Sequence, residues 1–185
     1  MFRLWLARVI KPITKWVGKV HAPWTHKKIS WYDASFIAEI MMPGDVLLSA
    51  THGELTYILT PGEWKHAGIV DNDRMIVEAV GRGVVCTPIH SFCLSKDRLL
   101  LLRPVFCEPQ QARRAASLAK SCIGMPYDYD FNTGNGAFYC SELVTDCFAK
   151  VSSNWVQKNG TTLPSDFANA KKKFVVVYES KGTAK

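Results

Sequence analysis

The most informative part of the chain is the heptapeptide Phe138-Tyr139-Cys140-Ser141-Glu142-Leu143-Val144. It predicts a helix that begins near Cys140 and has one buried face, formed by Cys140, Leu143, Val144, Cys147, Phe148 and Val151. Unpaired N–H groups and the helix dipole favour a thiolate at a helix N-terminus. Cys140 is therefore a candidate nucleophile, and Cys147, two turns deeper, is interpreted as inert core. The competing interpretation of Cys140 is a small buried residue.

A base for this thiol is predicted in an upstream hairpin. Residues 66–70 and 74–80 are typical of strands, and the turn-forming stretch 71–73 joins them. A three-residue loop places His66 directly opposite Glu78, where side chains share one face of the sheet. A carboxylate on an otherwise apolar strand face is costly unless it is paired. A histidine partner would explain the presence of Glu78.

Together these residues suggest a nucleophile, a base and a group that orients the base. Cys140 would attack a carbonyl carbon, His66 would accept and later donate a proton, and Glu78 would fix the imidazole tautomer. The backbone N–H of Cys140 is a candidate oxyanion donor. His52, in a loop-like stretch, is a competing base. The alternative for the whole set is a surface His–Glu pair with an unrelated buried cysteine.

The order of the motifs resembles that of a known family, the circularly permuted papain-like amidases, a YaeF/YiiX-like branch of the NlpC-type cysteine peptidase superfamily. In unpermuted members the cysteine helix comes first. Here it follows the other motifs, which are Pro43-Gly44-Asp45-Val46-Leu47, Lys65-His66-Ala67-Gly68-Ile69-Val70 and Val77-Glu78-Ala79. Two further segments also resemble the family, Gly124-Met125-Pro126-Tyr127-Asp128 and Leu163-Pro164-Ser165-Asp166-Phe167. The resemblance covers roughly residues 40–178.

The resemblance implies a papain-like fold, with a small antiparallel sheet or half-barrel packed against the cysteine helix. It implies thiol-dependent hydrolysis or transfer at an amide or ester through an acyl-enzyme, with Cys140, His66 and Glu78 as the triad. Tyr127 is a candidate for the substrate pocket or the oxyanion region, as are Tyr139 and Ser141 beside the cysteine. No cofactor is implied.

The charge of the chain is concentrated at its N-terminus. Of 23 Lys and Arg residues, seven lie in residues 1–32, which contain no Asp or Glu, and the remaining 16 balance the 16 acidic residues. A neutral body argues against a nucleic-acid groove built into the fold. None of the six cysteines forms a C-x-x-C pair, so no structural zinc site is expected.

Residues 2–20 have the periodicity of an amphipathic helix whose apolar stripe opposes five cations. Two interpretations stay open: binding to an anionic membrane surface, or packing on a partner protein or on this domain. The predicted organisation is a basic helix and linker over residues 1–29, a hydrolase domain over 30–179 and a disordered tail over 180–185.

Capping and turn residues predict most of the remaining elements. Ser30 and Asp33 form a candidate capping box for a helix to about Ile40, and Pro109 and Gly124 are the predicted ends of another helix. Extended segments are predicted at residues 46–49, 55–59, 84–88, 98–104 and 174–178. Helices thus flank a block of consecutive strands, which predicts an α+β fold.

The substrates expected from the resemblance are peptidoglycan peptides of the cell envelope or lipid-linked amides and esters. A structural or docking module that kept the fold without the chemistry is the alternative. The location stays open between the cytoplasm, a membrane surface and a phage virion.

Overall fold

A computed structural model describes residues 28–51, 60–155 and 161–180. The predicted helix over 2–20, the predicted extended piece near 55–59 and His52 lie outside the described residues, as do residues 181–185.

The centre of the fold is a six-stranded sheet in which every pair of neighbours is antiparallel. Its strands, in chain order, are β1 (Val46–Ala50), β2 (His66–Val70), β3 (Ile76–Val80), β4 (Gly83–Thr87), β5 (Arg98–Pro104) and β6 (Phe174–Glu179). The spatial order is β4-β3-β2-β1-β5-β6, so β1 lies near the middle. Every residue of β1 is buried, as expected for a strand covered on both faces.

Five helices accompany the sheet within the described residues: α1 (Trp31–Ile40), α2 (Ile89–Leu94), α3 (Pro109–Ser121), α4 (Cys140–Ala149) and α5 (Pro164–Asn169). The predicted capping box of α1 is present, because the Ser30 hydroxyl accepts from the Asp33 N–H and Asp33 accepts from the Ser30 N–H. The α+β class predicted from the sequence is confirmed.

Two hydrophobic clusters show that helices cover both faces of the sheet. One cluster joins the sheet to α3, α4 and α5, and its largest fully buried members include Phe148 and Phe167. The other joins the sheet to α1 and α2 and contains Ile37 and Phe92. The catalytic candidate Cys140 therefore begins a helix of the first layer, whereas Phe92 belongs to the second.

The Pro43-Gly44-Asp45 turn fixes how α3 meets the sheet. Gly44 has φ +89°, a backbone conformation that side chains disfavour. A Cβ at this position would lie only 2.6 Å from the Ala112 carbonyl oxygen. The close approach of α3 to the turn thus requires glycine.

The hairpin of β2 and β3 differs from the predicted register. The strands pair Val70 with Ile76 and Gly68 with Glu78, so the loop is 71–75 and His66 is not directly opposite Glu78. The Asp71 carboxylate accepts from the N–H groups of Asp73 and Met75 and holds this longer loop. Because the loop length is still odd, His66 and Glu78 remain on the same face.

Two further boundaries differ from the sequence-based predictions. Helix α2 lies in a stretch that the sequence pattern left as loop. Ser180, placed in the predicted tail, is buried and pairs with Leu99 of β5 through its backbone N–H and its hydroxyl. The ordered part of the chain thus extends at least one residue beyond the predicted boundary.

Candidate active site

Cys140 is the first residue of α4 and is almost completely buried. Tyr139, just before it, has extended backbone angles and serves as the N-cap residue. The backbone N–H groups of Ser141 and Ala67 lie close enough to the Cys140 sulfur to lower its pKa. The predicted placement of the cysteine at the start of a helix is therefore correct. Backbone donors and the helix dipole both favour the thiolate at this position.

His66 begins β2 and contacts both other members of the predicted triad. Its Nε2 atom lies 2.6 Å from Oε2 of Glu78, and its ring is close enough to the Cys140 thiol for that thiol to raise the pKa of the imidazole. Since Nε2 is occupied by the carboxylate, Nδ1 is the ring nitrogen left for the sulfur. The structure thus brings Cys140, His66 and Glu78 together at one place.

The register makes Gly68 part of this arrangement. Gly68 is directly opposite Glu78, and His66 lies two residues before it on the same face. A Cβ on Gly68 would lie 2.5 Å from Cγ2 of Ile76 and 3.5 Å from Cβ of Glu78. The missing side chain therefore leaves room for Ile76, which lies two residues before Glu78 on the same face of β3.

Two contacts to the triad were not anticipated from the sequence. The Thr87 hydroxyl, at the end of β4, donates to Oε1 of Glu78 over 2.6 Å. The Phe92 ring of α2 lies 5.9 Å from the His66 ring, centroid to centroid. Each carboxylate oxygen of Glu78 is thus bound, and one side of the imidazole is covered by a buried aromatic ring. No local sequence signal identifies Thr87 or Phe92, because both reach the site only through tertiary packing.

Electrostatics favour a thiolate–imidazolium pair. Burial alone would lower the pKa of His66, but hydrogen bonds to Cys140 and Glu78 and their negative charges raise it to about 9. Burial would raise the pKa of Cys140, yet the hydrogen bond and charge of His66, with the two backbone donors, lower it overall. Burial would likewise raise the pKa of Glu78, but contacts with His66 and Thr87 keep that pKa below its usual value.

The other predicted site residues surround the cysteine in different ways. Tyr127 is close enough for the charge of Cys140 to raise its pKa, although burial is the larger cause. A parallel bridge between Tyr127 and Phe138 closes the intervening loop. Tyr139 is buried, and its ring lies 5.1 Å from that of Phe131. The charge of Cys140 contributes to the raised pKa of Tyr139 as well, so both tyrosines lie near the sulfur.

Ser141 makes a tertiary contact through its side chain. Its hydroxyl is buried and donates to the Thr162 carbonyl oxygen over 2.7 Å. The side chain therefore ties the start of α4 to the segment before α5. The part of Ser141 that faces the Cys140 sulfur is its backbone N–H.

A buried carboxylate on the same helix turn does not join the triad. Glu142 accepts from the Tyr139 N–H over 3.4 Å, as a residue at this position of a capped helix does. Burial raises its pKa to about 7; the Tyr139 N–H opposes this shift, and the nearby Asp128 and Asp146 charges add to it. Glu142 is thus a helix cap beside the nucleophile.

This geometry suits acyl transfer. The pKa shifts favour a thiolate on Cys140 and a protonated His66 beside a buried carboxylate, and N–H groups at the start of a helix could stabilise an oxyanion. In the described part of the chain, no cluster of three or more His, Cys, Asp or Glu side chains could hold a metal ion. Over the same residues, no helix has the length and apolarity needed to cross a membrane.

Known proteins resemble this chain in fold and in sequence. The solved structure of metalloprotein yiiX from Escherichia coli O157:H7 superposes with a TM-score of 0.56 at 19% identity, covering 78% of this chain and 98% of that chain. This likeness concerns the fold alone. The curated relative "Probable lipoprotein peptidase YaeF" of Escherichia coli K12 is 25% identical over an alignment of 153 residues, and the match covers 60% of this chain and 56% of that protein. The chain thus spans little more than half of that relative's length.

A family model provides the assignment. The model described as permuted papain-like amidase enzyme, YaeF/YiiX, C92 family, matches residues 41–184, which is most of the chain. The match contains all three residues that meet at the site and both segments that flank the cysteine helix. The predicted permuted papain-like fold is confirmed, and the chain belongs to the permuted papain-like amidase family.

Proposed function

We propose that this protein is a cysteine hydrolase that cleaves an amide or ester bond through an acyl-enzyme. The observation that carries the proposal is the contact of His66 with both Cys140 and Glu78 at one buried point. A structural module would have no need of a buried carboxylate beside a histidine and a thiol, because such groups are costly to bury. Their presence favours an enzyme over a docking module.

The reaction begins with the Cys140 thiolate. Its sulfur attacks the carbonyl carbon, and the backbone N–H of Cys140 stabilises the negative charge that develops on the carbonyl oxygen. His66 then gives its proton to the leaving amine or alcohol, which departs and leaves a thioester. In the second half, neutral His66 takes a proton from water, and the resulting hydroxide attacks the thioester. The acid product leaves and the thiolate is restored.

Glu78 orients His66 throughout this cycle. It accepts a hydrogen bond from Nε2 of His66, so Nδ1 is the nitrogen that exchanges protons with the reacting groups. The negative charge of Glu78 stabilises His66 in its protonated form until His66 gives its proton to the leaving group. Thr87 holds the second carboxylate oxygen, so the carboxylate keeps one orientation.

The substrate class we propose is a cell-envelope peptide or a lipid-linked amide. Membership of an amidase family and a relative named as a peptidase both support cleavage of an amide bond. Tyr127 is the aromatic group we assign to the substrate, because it lies beside Cys140. No cofactor enters the proposed mechanism.

The test is capture of the acyl-enzyme by intact-protein mass spectrometry. The protein is incubated with a panel of peptidoglycan-derived peptides, N-acyl amides and acyl esters, and hydroxylamine is added to remove thioesters. We expect a hydroxylamine-sensitive mass increase on Cys140 with at least one class, lost in Cys140→Ala. Cys107→Ala, which removes a half-buried thiol elsewhere, is the matched control. Turnover that survives Cys140→Ala would contradict the proposal.

A further inference from the structure

Helix α1 presents an aromatic face to solvent. Trp31, Tyr32 and Phe36 are 63%, 78% and 39% exposed, whereas Ala34 and Ile37 on the opposite side are buried against the sheet. Each residue of an α-helix is turned about 100° from the previous one, so positions 31, 32 and 36 lie within an arc of about 140°. The three aromatic residues therefore fall on one side of the helix. Large aromatic side chains gathered on one exposed surface mark an interaction site more often than isolated ones do.

This face is held in place by contacts on both flanks. The Trp31 ring stacks on His90 of α2 with centroids 4.4 Å apart, and Phe36 lies 5.7 Å from Tyr178 of β6. The Tyr178 hydroxyl donates to the Asp33 carboxylate over 2.5 Å, at the first turn of α1. The aromatic residues are therefore presented by a fixed helix.

The sequence supplies a matching charge. The seven cations of residues 1–32 all precede α1 or its first turn, and the chain enters the described structure at Lys28, three residues before Trp31. The only acidic residue on the exposed arc is Glu39, at the far end of the helix, where the Arg74 guanidinium binds the Ala38 and Glu39 carbonyl oxygens. The aromatic end of α1 is thus the end joined to the basic segment.

We propose that this aromatic face of α1 docks on an anionic lipid surface. Trp and Tyr side chains favour the membrane–water interface, because the ring is apolar while its polar atom can stay hydrated. Neighbouring Lys and Arg residues add attraction to negatively charged headgroups. A second copy of this chain would bring two basic segments together, and a protein surface without acidic residues would give the cations no role. The proposal does not depend on the hydrolase activity.

The aromatic face of α1 lies near the candidate active site. Helix α2 contacts the face through His90 and contacts His66 through Phe92, so one helix separates Trp31 from the catalytic histidine. A helix with its side chains is about 10 Å across. Docking through α1 would therefore hold the candidate active site close to the headgroup layer, where a membrane-linked substrate can reach it.

The experiment is co-sedimentation of the full-length protein with vesicles of phosphatidylglycerol and phosphatidylcholine in equal parts. We expect the double variant Trp31→Ser, Tyr32→Ser to bind at least about tenfold more weakly than wild type. The matched control is Val176→Ser, which removes an equally exposed apolar side chain from edge strand β6. Val176→Ser should bind like wild type, and unchanged thermal unfolding midpoints would show that both variants are folded.

Two further conditions separate the occupants of the face. Pure phosphatidylcholine vesicles should bind the wild type more weakly, and added salt should weaken its binding to anionic vesicles while the difference from the double variant persists. Equal vesicle binding by the wild type and the double variant would overturn the proposal. The proposal would also be overturned if the wild type did not bind vesicles but formed a dimer, measured by light scattering, and the double variant stayed monomeric.

Discussion

Glu78 reaches His66 diagonally, with 2.6 Å between its Oε2 atom and Nε2 of the imidazole, while the residue directly opposite Glu78 is Gly68. Diagonal neighbours on one face of a sheet are still within reach of each other when a side chain is long. A Cβ on Gly68 would make an ordinary 3.5 Å contact with Cβ of Glu78 but would lie only 2.5 Å from Cγ2 of Ile76. A side chain at position 68 would therefore press on the strand that carries Glu78.

Replacing Gly68 by alanine should therefore disturb both stability and the triad. The added Cβ would lie 2.5 Å from Cγ2 of Ile76, whose β-branched side chain has few alternative rotamers. We expect a loss of about 1–3 kcal/mol in the free energy of unfolding, measured in urea. If this clash is the cause, the double variant Gly68→Ala, Ile76→Ala should lose less stability than the sum of the losses in the two single variants. Full additivity would contradict the steric explanation.

Thr87→Val should weaken the site without changing its shape much. The substitution removes the hydroxyl that donates to Oε1 of Glu78 and leaves one oxygen of a buried carboxylate unpaired. We expect a loss of about 1.5–3 kcal/mol in unfolding free energy, as for hydrogen bonds to charged groups, and slower alkylation of Cys140. Thr87→Ser keeps the hydroxyl and should behave like wild type. If the valine and serine variants react alike, Thr87 has no positioning role.

Glu78→Gln should shift the pH dependence of Cys140. The amide can still accept a hydrogen bond from His66, but it no longer supplies the negative charge that helps to raise the pKa of the imidazole. The imidazolium should then lose its proton at lower pH, and the thiolate should lose part of its stabilisation. Alkylation of Cys140 at neutral pH should fall by about tenfold, which corresponds to about one pKa unit. An unchanged rate at all pH values would show that the charge of Glu78 does not stabilise the thiolate–imidazolium pair.

The active form is predicted to exist in a defined pH window. It requires a deprotonated Cys140, whose pKa is lowered, and a protonated His66, whose pKa is raised to about 9. Activity on any substrate identified should therefore rise with pH well below the usual thiol pKa of about 8.5 and decline as the pH passes about 9. A profile that rises only above pH 8.5 would show that thiol and imidazole are neutral in the resting protein.

Stretches with strong local signals were predictable from the sequence. The capping box Ser30–Asp33, Pro109 at the first position of α3 and Gly124 just beyond its end carry their instructions in residues a few positions apart. The same holds for the Cys140 helix and for strands β2 and β5, whose predicted bounds match the structure. In each case the capping or turn residue acts on its own neighbourhood.

The predicted register of the β2–β3 hairpin was wrong because the loop is stabilised by contacts that the sequence spacing does not reveal. The Asp71 carboxylate binds two backbone N–H groups, and Arg74 adopts a positive φ of 62°, so the turn continues to Met75. A positive φ is uncommon for arginine, and the composition of the loop suggested a turn of three residues. Only the parity of the loop, and hence the shared face of His66 and Glu78, could be inferred.

Helix α2 escaped prediction because it is a single short stretch that follows Pro88 without a side-chain cap. Its residues Ile89, Phe92 and Cys93 are buried by contact with α1 and the sheet, and that packing, more than any local preference, holds the helix. The covering of His66 by Phe92 could not be predicted for the same reason. The contact between Thr87 and Glu78 likewise depends on how β4 pairs with β3.

The most direct test of the triad is the alkylation rate of each cysteine against pH, read by mass spectrometry, in wild type and in His66→Ala. We predict that in the wild type Cys140 reacts selectively at a pH well below a normal thiol pKa of about 8.5, and that this advantage disappears in His66→Ala. Brief exposure to a small uncharged reagent limits the effect of burial on access. If Cys140 instead titrates like the other cysteines and His66→Ala leaves its rate unchanged, the catalytic assignment is wrong.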